Sequence, residues 1–304
     1  MSPSFVRSPV LAGVGLVVMW SSGFVGAELS RRAEADPLTT LGWRFTILAV
    51  LLIAVSVARG ARMPSAAAWR RHTLIGVLCQ PLYLVSVFEG VAHGVPGGTA
   101  ALIAALQPLL VATVAGPLLG ERASKVMVLG MALGLVGVTV VVSGDLSVSG
   151  APWWAFMLPI LGMLSMATGT VAERRIKPPE DMLQTITMQA VITAVAIDLA
   201  AAVTGNAVPP MQWSFWAAVV WLIVLSSLGG YVIYVHVSRT QGATVVSTLL
   251  YLTPPTTMLW VFLMFGTPVH LLGFVGLAIS GLGVWLVLRG RKRAVVRRTE
   301  PVGA

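Results

Sequence analysis

The chain has 304 residues, 57% of them hydrophobic and only 10% charged, with a mean hydropathy of +0.88. A water-soluble domain of this length would cover its surface with about 25% charged residues, so the composition excludes a soluble fold and leaves apolar side chains facing lipid. The net charge of +9 sits in the segments between apolar runs, which argues against a nucleic-acid partner and for a membrane topology signal.

About 20 mainly apolar residues suffice to cross a hydrocarbon core of roughly 30 Å. Ten predicted spans meet this: 10–29, 38–58, 72–93, 97–119, 125–143, 153–172, 182–203, 213–237, 243–265 and 269–288. The short alternating segments of a membrane β-barrel are missing. The expected fold is therefore an all-α integral membrane protein of ten transmembrane helices.

Span 1 follows a short positive segment but is not followed by a small-residue cleavage site, so it reads as retained. Span 2 carries Arg44 and span 3 carries Glu89, both in the outer third if span 1 runs outward. Ionisable groups within a span are costly and face protein or water. Ser86, Glu89 and His93 share one helical face. Glu89 is either the ion-pair partner of Arg44 or a group that meets substrate or protons. Gln80 and Tyr83 on span 3, with Thr99 and Gln107 on span 4, are further polar candidates for a cavity; Cys79, the single cysteine, excludes an intrachain disulfide.

Pro108 on span 4 and Pro254 on span 9 each remove a helical hydrogen bond. They are either flexing kinks at a cavity or fixed kinks that shape packing. Span 4 closes with Glu121. Gly130, Gly134 and Gly137 on span 5, and Gly273, Gly276, Ser280 and Gly283 on span 10, form small-residue stripes for close helix contact, within the chain or between copies. Trp153, Trp154, Trp213 and Trp216 suit the interfacial belt, and Asp198 near the outer end of span 7 reads as an interfacial or pairing residue. Span 8 places Ser227, Tyr231, Tyr234 and Ser238 on one stripe, and span 9 places Ser247, Tyr251 and Pro254 on another. Aromatic rings with hydroxyls suit an amphipathic organic solute.

An offset of 146 residues pairs Pro108 with Pro254, Gly120 with Gly266, Gly130 with Gly276 and Gly137 with Gly283, while Glu121 falls on Thr267. With five spans per half, the second copy enters the membrane from the opposite side, so the predicted repeat is inverted: residues 1–145, then 146–290, then a basic cytoplasmic tail over 291–304. Of the Lys and Arg residues, seventeen fall on one side, two (Arg31 and Arg32) on the other, and Arg44 within a span. The positive-inside rule then puts both termini in the cytoplasm. Inverted repeats are a construction of secondary transporters, with the substrate site near the midplane between the halves. The same asymmetry explains the lone acid: Glu121 at the inner end of its span has Arg122 and Lys125 nearby, and an outer carboxylate would lack such partners.

The pattern WSSGFVGAEL at 20–29, the Asp-Pro pair before the span carrying Arg44, and LLG before Glu121 thirteen residues after Pro108 resemble the EamA family of the drug/metabolite transporter superfamily. The resemblance covers about residues 10–288. It implies ten helices with both termini inside, a central cavity lined mostly by spans 1, 3, 4, 6, 8 and 9, and export of small metabolites or drugs. It also brings Trp20 and Ser21 into the candidate substrate-binding set. Thr267 departs from members that keep a glutamate in both copies.

Enzymatic readings fare less well. Gly144 and Asp145 form the glycine-aspartate pair of an intramembrane aspartyl protease without its tyrosine-aspartate partner, no GxxxxGK[ST] loop exists to drive transport with ATP, and His72, His93, His236 and His270 are scattered. The expectation is a multi-pass transporter of a bacterial-type inner membrane, exporting amino acids, related metabolites or amphipathic drugs by alternating access, with no cofactor or metal. Its partners are a small organic solute and membrane lipid. Proton coupling, a monomeric or homodimeric state, uptake by the same fold, and a membrane enzyme or sensor stay open.

Overall fold

Polar backbone groups in lipid must be satisfied within their own segment, which favours helices. The computed structural model describes residues 8–61, 63–111, 125–241 and 243–299, and among these every regular element is helical. The elements are α1 (Pro9–Arg32), α2 (Pro37–Ala58), α3 (Ala66–Cys79), α4 (Pro81–Ala92), α5 (Gly97–Ala104), α6 (Gln107–Leu110) and α7 (Lys125–Val148). A 3-10 turn at Trp153–Phe156 leads into α8 (Met157–Ile176), followed by α9 (Met182–Thr204) and α10 (Trp213–Trp221). A π-helical segment (Leu222–Gly229) then joins α10 to α11 (Gly230–Gln241), followed by α12 (Ala243–Leu250), α13 (Thr253–Phe265) and α14 (Leu271–Thr299).

Helix starts follow local chemistry. Asp36 caps α2 by accepting from the amides of Leu38 at 2.8 Å and Thr39 at 3.4 Å, with Pro37 in the first turn, where a missing N–H is harmless. Ser65 caps α3 and Asp181 caps α9 in the same way. Prolines also mark the interior breaks. Pro81, Pro108 and Pro254 each open a new helix within a predicted span, after Gln80, after Ala105–Leu106 and after Tyr251–Leu252. Proline cannot donate to the carbonyl four residues back and disfavours helix in the residue before it.

Among the described residues, seven helical stretches are long and apolar enough to cross a membrane: Pro9–Arg32, Pro37–Ala58, Ala66–Ala92, Val128–Val148, Trp153–Ile176, Met182–Thr204 and Trp213–Tyr234. Gly97–Leu110 and Leu271–Leu286 are shorter apolar helices. This differs from the ten expected spans for local reasons. Span 3 begins earlier than expected, at Ala66, and breaks at Gln80; span 4 continues into 112–124, outside the described residues; span 9 is divided between α12 and α13. The chain's outside is oily and its inside partly polar: on α2, Val57 is 72% exposed and Arg44 only 6%. That is the arrangement of a multi-pass membrane protein.

A central cluster of Phe24, Leu41, Phe45, Phe88, Phe156 and Leu222 ties α1, α2, α4, the 3-10 turn and the π segment together. Around it, α2 packs along α9, α3 and α4 along α8, α1 along α10 to α11, α5 along α13, and α7 along α14. In terms of the sequence spans these are the pairs 2 with 7, 3 with 6, 1 with 8, 4 with 9 and 5 with 10. Exchanging the first five spans with the last five returns the same set.

The tightest of these contacts is made by glycine. A Cβ on Gly283 would lie 2.6 Å from the Gly134 amide nitrogen, one on Gly276 3.0 Å from that of Val141, and one on Gly137 2.6 Å from that of Ser280. Ser280 Oγ donates to the Gly134 carbonyl at 3.2 Å. Residue numbers rise along α7 as they fall along α14, so the two helices run antiparallel, and the stripes face each other within one chain.

Candidate functional site

Two residues apart on a helix is about 200° of turn, so α2 presents opposite faces at Arg44 and at its neighbours Gly42 and Thr46. The 42/46 face meets α9, where Thr46 Oγ1 donates to Asp198 Oδ2 at 2.5 Å. Arg44 therefore points the other way, toward α1, α4 and the π segment. Its Nε donates to Ser227 Oγ at 3.1 Å and its Nη2 to Ser226 Oγ at 3.4 Å, and Cζ lies 4.8 Å from the centroid of the Phe45 ring. Buried Nη1 has no hydrogen-bond partner among the described residues. Tyr83 on α4 is within electrostatic reach of the guanidinium.

Small residues on α1 make this approach feasible. A Cβ on Gly23 would be 3.0 Å from Ser226 Oγ, and Gly26 lies against Leu222. The Trp221 indole N–H donates to the Ser22 carbonyl at 3.0 Å, fixing the start of the π segment against α1. One turn before Gly23, on the same face, Trp20 stacks on Tyr234 with ring centroids 5.6 Å apart.

The other sequence candidates are distributed more widely. Ser21 Oγ donates at 3.3 Å to the Thr253 carbonyl, at the break before Pro254. Gln80 reaches Gln189 at 3.4 Å and Gln107 reaches Thr170 at 3.0 Å, both across to the second half of the chain. Ser86 faces Gly162 in the α4–α8 contact. Thr99 donates to buried Asp145. Tyr231 and Tyr251 are half-buried and engaged within the chain. Glu121 lies outside the described residues, as do the side chains of Ser238 and Ser247.

The Arg44–Glu89 ion pair held open by the sequence is not formed among the described residues. Glu89 Oε2 instead lies 3.6 Å from His93 Nδ1, one turn along toward the C-terminal end of α4, and both side chains are partly exposed. Ser226 was not singled out in the sequence, because a π segment leaves no mark on composition. The available signal was a serine pair beside two glycines in an otherwise apolar span.

A second polar cluster lies midway along α3. Arg71 and His72 both contact Glu180 in the loop before α9, His72 Nε2 lying 3.2 Å from Glu180 Oε2. Burial pushes the Glu180 carboxyl up, but hydrogen bonds from Arg71, its own backbone N–H and His72 outweigh that and hold it below the ordinary range.

Comparison with known proteins decides what kind of molecule carries this geometry. The model of the EamA-like transporter family matches residues 7–143 and again residues 152–289. The chain belongs to the EamA-like transporter family. It is 26% identical over 277 residues to the "Uncharacterized inner membrane transporter YedA" of Escherichia coli (strain K12), covering 91% of this chain and 89% of that one. It is 28% identical over 293 residues to the "Probable terminal-alkyne amino-acid exporter" of Streptantibioticus cattleyicolor, covering 93% and 95%. A solved crystal structure matches with a TM-score of 0.61 at 24% identity, over 95% of this chain and 98% of the other, a likeness of fold alone. The EamA-like membership identifies a membrane transporter rather than an enzyme.

Proposed function

We propose that this EamA-like protein is a secondary transporter that exports small organic metabolites, amino acids or related compounds among them, by alternating access across a bacterial-type inner membrane. In this reading ten spans form two inverted five-helix repeats, 1–145 and 146–290, with both termini and the basic tail of 291–304 cytoplasmic. The observation that carries it is the packing scheme, which is unchanged when the first five spans are exchanged with the last five. Two halves so related can rock about their common contacts, opening a midplane site to each side in turn. The relative named as an amino-acid exporter supports the direction and the class of solute.

The Arg44 cluster is the proposed solute site, with Trp20, Tyr83 and Tyr234 beside it; Pro108 and Pro254 supply breaks at which spans 4 and 9 flex. Flux of amino acids in proteoliposomes, with and without a pH gradient, tests the function. Solute movement that accelerates with the gradient is the result for a proton-coupled carrier, and no flux of any solute would overturn the proposal.

A further inference from the structure

We propose that Arg44, Ser226 and Ser227 form a carboxylate subsite, so that the transported solute is a small monocarboxylate with an apolar body. This subsite stands on the transport reading of the chain and names the chemistry its solute must have.

A guanidinium buried to 6% exposure needs compensation, because an uncompensated buried charge is costly. Six of the described carboxylates meet partners elsewhere. Glu28 pairs with Arg31 and Arg32 and Glu180 with Arg71 and His72, while Glu89 Oε2 lies 3.6 Å from His93 Nδ1. Asp36 accepts from Asn206, Asp145 from Thr99, and Asp198 from Thr46 on the opposite face of α2. No described carboxylate lies in ion-pair range of Arg44, whose charge is met only by two neutral hydroxyls.

The hydroxyls point to what is missing. Ser226 and Ser227 both accept from Arg44, and neither donates to another described residue. Each keeps an O–H, and Arg44 Nη1 keeps two N–H groups. The site thus gathers donors without an acceptor, under one positive charge. That is the complement of a single planar carboxylate, whose oxygens accept and whose charge is minus one. A phosphate dianion would call for a second cation, and the described residues bring none to the cluster.

Its surroundings set the rest of the solute. Phe45 lies under the guanidinium, and the Trp20–Tyr234 stack stands one helical turn along α1 from Gly23, against which Ser226 rests. A carboxylate held here would therefore meet aromatic neighbours, which suits a solute with an apolar or aromatic body. The π segment is what makes the subsite: π geometry is rare, concentrates at functional sites, and here turns two consecutive serines toward one arginine.

The test uses the full chain, purified in detergent and in proteoliposomes, with L-phenylalanine, L-methionine and L-leucine, their carboxamides, and inorganic phosphate. In wild type, thermal unfolding should shift saturably with the carboxylates, and the carboxamides and phosphate should need at least about tenfold higher concentration. Arg44→Gln should weaken carboxylate binding by on the order of 10- to 100-fold and leave carboxamide binding unchanged. Arg44→Lys, which keeps the charge but not the fork, should recover part of it. If Arg44→Gln does not fold, Arg44→Lys and Ser227→Ala decide: both should weaken carboxylates selectively. Equal binding of carboxylate and carboxamide, binding of neither, tighter binding of phosphate, or an undiminished carboxylate preference in these variants would overturn the subsite. Selective binding without flux would leave the subsite standing and reject the transport reading.

Discussion

Glu89 and Glu180 show how the same side chain is used at two depths. Glu89 faces His93 in a pair with both members partly exposed, and such pairs contribute about 0–1 kcal/mol. Glu89→Gln should therefore unfold within about 1 kcal/mol of wild type, as read by thermal or denaturant unfolding. A collapse in folded yield would show that Glu89 has a buried partner after all. Glu180 is held on three sides by donors, and Glu180→Gln should cost roughly 1–3 kcal/mol. Because its folded pKa is depressed, that contribution is complete above the ordinary glutamate value of 4.5 and disappears as pH falls through the folded value. Unfolding of wild type and Glu180→Gln measured from neutral to acid pH should converge at the acid end. Arg44 and Glu89 were legible as the two ions that matter on spans 2 and 3, and His93 as a residue on the face of Glu89, but not the partners of Arg44: the rotation of α2, set by the small face of Gly42 against α9, decides which way Arg44 looks.

At the scale of elements, glycine decides where helices touch. Gly137→Ala or Gly283→Ala would press a methyl into backbone on the facing helix and should cost about 1–3 kcal/mol. Gly281→Ala, on the same helix with nothing within 4 Å, should be neutral. Thermal unfolding of the three variants side by side checks this, and equal behaviour would refute the contact. The glycine stripes were readable because close approach needs a missing side chain. The break at Gln80 was not, since Pro81 occupies a first-turn position where proline is tolerated and apolar residues continue on both sides. The π segment was hidden for a related reason. Its hydrogen bonds shift by one residue without any change in residue type, so only the packing of Gly23 and Gly26 against it reveals the site.

For the whole molecule, a bundle whose lipid face is apolar could be anticipated from composition, because lipid offers the backbone no other partner than itself. Which side faces the cytoplasm is a matter of charge. In a Cys79→Ala background, Ser65→Cys should resist impermeant thiol reagents added to intact cells, and Ser149→Cys should react. Labelling of Ser65→Cys from outside would reverse the proposed orientation. Trp20, Tyr83, Ser227 and Tyr234 of the proposed solute site were readable as polar or aromatic candidates, but their meeting with Arg44 was beyond sequence reading, since Arg44 and Ser227 lie 183 positions apart.

The crossing of α7 and α14 has a consequence for how the chain could be divided. Gly130 meets Gly283 and Gly137 meets Gly276, and the 146-residue shift turns each of these contacts into the other. A surface that is complementary to its own counterpart is isologous, the kind that closes a two-fold pair of separate subunits. The peptide link between the halves is then dispensable to recognition. Gly150, exposed in a turn with nothing within 4 Å of a Cβ, is a natural place to cut. Residues 1–149 and 150–304 produced as two polypeptides should find one another and copurify through an affinity tag on either, and Gly137→Leu in one piece should part them.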